Sequence, residues 1–116
     1  MNSDHLFVLA AGLCGAAGVG LSAAAAHGGG AFTGTAASFL LAHAPAFLGI
    51  GLVSGSRMLR IAGFILLIGV VLFSGDLIAL DFLGTRLFPL AAPVGGTLLI
   101  AGWLLIAASA LSGRKS

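Results

Sequence analysis

A chain of 116 residues that is 59% hydrophobic and 7% charged, with a mean hydropathy of +1.21, cannot cover a water-facing surface, because a soluble domain carries about 25% charged residues. Its net charge of +2 arises from five Lys and Arg against three Asp and Glu. No basic run is interleaved with aromatics, so nucleic-acid binding has no support, and the length leaves no room for a soluble catalytic module.

Four apolar runs, at residues 6–26, 35–53, 59–80 and 90–111, fill nearly the whole chain. Each is close to the ~20 residues a helix needs to cross ~30 Å of hydrocarbon. The chain therefore reads as all-α: one polytopic membrane domain, residues 1–116, built as an antiparallel bundle of four transmembrane helices. Short connections make sequential helices antiparallel neighbours.

In the first run, Gly12, Ala16, Gly20 and Ala24 repeat every four residues and share a helix face. Cys14, Gly18, Ser22 and Ala26 form a second small face. Small-xxx-small faces let backbones approach closely in lipid, which predicts that the first helix lies at the centre and touches several neighbours. The alternative is that Gly and Ala merely fill a span. Cys14 is the single cysteine and reads as a packing residue. Residues 1–4 lack Lys and Arg, and the run exceeds a typical signal-peptide core, so it reads as a retained span. His27 and three glycines end it near water, where an imidazolium suits the helix C-terminus.

The second run carries His43 about eight residues in, roughly 12 Å deep. Pro45 removes one N–H and frees a carbonyl near Leu41; a neutral imidazole can bond such a carbonyl or a neighbouring helix. That structural reading competes with a proton-relay or ligand-contacting histidine. Haem or zinc on His27 and His43 would require both at one depth. The spacing sets them about 12 Å apart, so no cofactor and no metal are expected.

The third run follows Ser54-Gly55-Ser56-Arg57 and carries Ser74-Gly75-Asp76 near its far end. Residues 81–89 read as a connection, and the fourth run enters from the same side with Pro93-Val94-Gly95-Gly96. His27, Ser74, Asp76 and this Gly pair are expected at similar depth. Asp76 can bond Ser or backbone donors or pair with His27 or Arg86, either as a clasp tying helices one, three and four or as part of a small outward polar pocket. Pro93, Gly95 and Gly96, like Gly12, Ala16 and Gly20, are expected packing positions. The bulky lipid-facing surface is expected from residues 64–67 and 98–100, and Trp103 lies too deep to anchor at an interface.

Arg57, Arg60, Arg114 and Lys115 fall on one side of the membrane, against Arg86 alone on the other. The positive-inside bias puts both termini in the cytoplasm and the chain in the plasma (inner) membrane. No Ser-His-Asp spacing, P-loop or HExxH is present, so no catalytic residues are expected.

Several of these segments resemble a known family. Ala25-Ala26-His27, Phe39 with His43, Leu72-Phe73-Ser74-Gly75, Pro93-Val94-Gly95-Gly96 and Gly102-Trp103 are similar to the signatures of the YgdD-like group of small four-helix membrane proteins. That group is a domain of unknown function found in bacteria and mitochondria. The resemblance spans essentially the whole chain. It departs at the short, Gly-rich first loop and at Phe39-Leu40, where the group carries an aromatic-Gln pair. It implies four spans in an inner membrane and brings no activity. The expected role is non-enzymatic: an accessory or assembly subunit, or a self-associating bundle, with the lipid bilayer, a larger membrane complex or its own copies as partners. The alternative is a small-solute or proton-coupled transporter or channel using His43 and Asp76.

Overall fold

The computed structural model describes residues 2–53 and 55–111, so Arg114 and Lys115 of the charge argument lie outside the described residues. The described residues form four helices: α1 Ser3–Ala26, α2 Ala31–Val53, α3 Arg57–Leu83 and α4 Ala91–Leu111. At 21 to 27 residues each they are about 32–40 Å long, which exceeds the ~30 Å of hydrocarbon. All four are apolar enough to cross a membrane. The α1–α2 and α3–α4 connections share one end of the bundle, called here the hairpin end.

The helix ends follow ordinary capping chemistry. Asn2 accepts from the His5 N–H at 2.9 Å, and Ser56 from the Leu59 N–H at 3.2 Å. Gly84, at φ 76°, ends α3 in the left-handed conformation that glycine adopts without strain. Two boundaries differ from expectation. The second helix starts at Ala31 rather than residue 35, and the third runs to Leu83, which moves Asp81 from a connection into a helix. The cause is one interaction. The Asp81 carboxylate accepts from both the N–H and the hydroxyl of Thr33, at 2.5 and 2.6 Å, so α3 caps the start of α2. Gly30 makes room for it, since any Cβ there would collide with the carboxylate.

The expected central place of the first helix is not found. The core elements are α2 and α3: α1 packs along α2, α4 packs along α3, and α1 touches α3 only narrowly. That narrow contact is Phe7, which is fully buried, stacks on Phe47 at 6.4 Å and meets Phe64 at 4.9 Å. A Cβ on Gly63 would come within 2.6 Å of its ring. The packing face of α1 is Phe7, Ala10, Ala11, Cys14 and Gly18, with Gly18 against Leu41. The other small face points away, and a Cβ on Gly12 or Gly20 would meet nothing within 4 Å. Sequence period alone cannot choose between two small faces; the bulky side chains of the neighbours do.

The α3–α4 contact is made by glycine. A Cβ on Gly95 would lie 2.6 Å from the Phe73 nitrogen and 2.8 Å from the Gly69 oxygen, so backbone packs on backbone there. Leu66 and Leu99 were expected to face lipid but are core residues, whereas Ile100 is 64% exposed. In each run a residue points inward because a helix turns 100° per residue, so no consecutive triplet stays on one face.

Candidate functional site

Both imidazole nitrogens of His43 are engaged. Nδ1 lies 2.7 Å from the Phe39 carbonyl, and the indole Nε1–H of Trp103 on α4 donates to Nε2 at 3.1 Å. A carbonyl only accepts and an indole only donates, so the ring is neutral with its proton on Nδ1. The partner in its own helix is Phe39, one turn back, and not the carbonyl near Leu41 that Pro45 frees. His43 lies twelve residues from the start of α2, and Trp103 twelve from the start of α4. Both are therefore about 18 Å from the hairpin end, deeper than the sequence spacing suggested.

Asp76 has no exposed surface. One carboxylate oxygen pairs with the Arg86 guanidinium at 2.5 Å, and the other accepts from the Leu87 N–H at 2.9 Å. The expected clasp of helices one, three and four is not what forms. Asp76 instead ties α3 to the connection that follows it. Ser74 bonds elsewhere, donating to the Ala36 carbonyl on α2 at 3.4 Å. His27 bonds its own turn, with Nδ1 2.8 Å from the Ala23 carbonyl. Of the four polar candidates, His27, His43, Ser74 and Asp76, no two bond to one another. Among the described residues no three His, Cys, Asp or Glu side chains cluster to hold a metal.

Pro93 and Gly96 do not share the role of Gly95. A Cβ on Gly96 would meet only the Phe73 ring, at 3.9 Å, and Pro93 is exposed. Both line an open hollow of about 920 Å³ between α2 and α4, with Phe39, Phe73, Ile100 and Trp103, and Arg86 at its mouth. The hollow exists because no Cα of α2 comes within 8 Å of α4. A second, smaller hollow of about 260 Å³ lies toward the opposite end, lined by Pro45, Gly49 and Val53, and Trp103 borders both. The His43–Trp103 bond thus bridges a furrow and divides it at mid-depth. Arg86 and a backbone donor were among the partners expected for Asp76, and both are found. Trp103 was read only as a residue too deep to anchor at an interface, and nothing in its spacing marks it as the partner of His43.

A family model described as a protein of unknown function, DUF423, matches residues 14–96, more than half of the chain. A UPF0382 membrane protein of Staphylococcus haemolyticus is 34% identical over 114 residues, covering 87% of this chain and 91% of its own. One from Staphylococcus epidermidis is 36% identical over 78 residues, 66% of this chain and 64% of its own. One from Haemophilus influenzae is 33% identical over 75 residues, 63% of this chain and 60% of its own. These matches bear out the family resemblance read from the residues. No solved structure matches.

Proposed function

The chain belongs to this DUF423 family of small membrane proteins of unknown function, and from that premise we propose that it is a non-enzymatic helical scaffold which packs against a larger membrane protein or its own copies. The observation that carries the reading is the closure of its intramembrane polar groups. Both nitrogens of His43 and both oxygens of Asp76 are bonded within the chain. A proton relay or solute site needs such groups turned toward water or substrate. The outward Gly12, Ala16 and Gly20 face supports the packing role, because a second helix can approach closely there. The proposed setting is the inner membrane with both termini cytoplasmic, supported by Arg57 and Arg60 at the end opposite Arg86.

The test is purification of the full chain in mild detergent, with Gly12→Cys and Gly20→Cys for cross-linking. Stoichiometric co-purification of a larger membrane protein, or cross-linking between copies through these positions, is the expected result. A chain that is monomeric in bilayer nanodiscs, uncross-linked and without a partner in its native membrane would overturn the proposal.

A further inference from the structure

The larger furrow between α2 and α4 has the form of a lipid site. It begins at Arg86 and ends at the His43–Trp103 bond. From the start of α4 to Trp103 is about 18 Å, roughly one leaflet of a ~30 Å core. Its volume of about 920 Å³ falls at the upper end of the roughly 300–1,000 Å³ usual for small-molecule sites. Below the mouth its polar groups are already spent. His43 and Trp103 bond each other, and the Thr97 hydroxyl donates to the Pro93 carbonyl at 2.8 Å. The walls, Phe39, Phe73 and Ile100 among them, offer an occupant only apolar contact.

The mouth is different. Arg86 gives one nitrogen to Asp76, which fixes the guanidinium in place, while 48% of its side chain remains exposed. A guanidinium carries five N–H donors in a planar fork that suits phosphate. An apolar slot one leaflet deep beneath a held guanidinium complements an acyl chain below a phosphate diester. We infer that the α2/α4 furrow binds one phospholipid of the leaflet at the hairpin end, with an acyl chain along Ile100 and Trp103 and its phosphate on Arg86.

The test is native mass spectrometry of the full chain released from detergent with added phosphatidylglycerol. Ile100→Trp fills the slot from an exposed position, and Leu13→Trp adds the same bulk on α1, where Leu13 is 62% exposed. The double variant Asp76→Asn, Arg86→Gln removes the guanidinium without stranding a buried carboxylate. One phosphatidylglycerol should stay bound to the wild type and to Leu13→Trp. Ile100→Trp and the double variant should each weaken retention about tenfold or more, the scale of a lost charge-assisted hydrogen bond or an occluded chain. Circular dichroism should show all variants equally helical. No retained lipid in the wild type, or equal retention in Ile100→Trp, would overturn the inference. So would cross-linking of Thr97→Cys between copies at the same rate with and without lipid, because the slot would then hold protein.

Discussion

His43 and Trp103, sixty positions apart, join α2 to α4 by a 3.1 Å hydrogen bond although the backbones of those helices do not approach. The bond is a side-chain strut across an open furrow, and His43, with 4% of its surface exposed, is the buried end. Trp103→Phe keeps the ring but removes the donor, and His43→Phe removes the acceptor. Hydrogen bonds between membrane helices couple by about 0.6 kcal/mol on average and up to about 1.7. Because Nε2 is buried, the coupling here should fall in the upper half of that range, measured by a double-mutant cycle of unfolding in bicelles. Additive losses would show that the two rings merely pack.

The tautomer gives a second expectation. With Phe39 accepting and Trp103 donating, His43 should appear in nitrogen-detected NMR as neutral with its proton on Nδ1. In Trp103→Phe the Phe39 carbonyl still holds the Nδ1 proton, so the tautomer should persist while the Nε2 signal moves to that of an imidazole nitrogen without a donor. An Nε2-protonated ring in the wild type would contradict the bond.

Asp76 and Arg86 should respond unequally. Arg86→Ala leaves a carboxylate buried without its cation, which costs roughly 3–5 kcal/mol. Asp76→Ala leaves a half-exposed guanidinium that can turn to water or headgroups, so the loss should be nearer 1 kcal/mol. Thermal unfolding of the two variants in one detergent reads the difference. Equal losses would mean that Asp76 is not held as described.

The cap that α3 supplies to α2 should be sensitive from both sides. Asp81→Ala removes the acceptor of the Thr33 N–H and should cost about 1–2 kcal/mol, the range of a lost helix cap. Gly30→Ala should displace the same carboxylate. The two should be less than additive when combined, since they disrupt one contact. Full additivity in the melting of the double variant would count against the cap.

Much of this was legible from residue type and spacing. Four runs near ~20 residues bounded by Gly, Ser and Pro specify four spans, because hydrocarbon leaves the backbone no other way to satisfy its bonds. A close approach at the Gly95-Gly96 pair was readable, since only a residue without Cβ admits another backbone, but which of the two meets Phe73 was not. What was not legible depends on rotation about helix axes. The choice of Gly18 over Gly20 as the packing side of α1 is made by Leu41 on another helix. The pairing of Asp81 with Thr33, forty-eight positions away, extends two helices past their apolar runs, where hydropathy falls silent.

Orientation can be read by labelling. Ser56→Cys should resist an impermeant thiol reagent added from outside, and Thr85→Cys, in the exposed α3–α4 connection, should react. The reverse pattern would invert the bundle in the membrane.

The claim that the buried polar groups are struts rather than a pathway is tested most directly by proton flux. The full chain, reconstituted into sealed vesicles with an internal pH dye, should relax an imposed pH gradient no faster than protein-free vesicles. A flux carried by the wild type and lost in His43→Gln, whose amide keeps a hydrogen-bonding group but does not titrate near neutral pH, would contradict it.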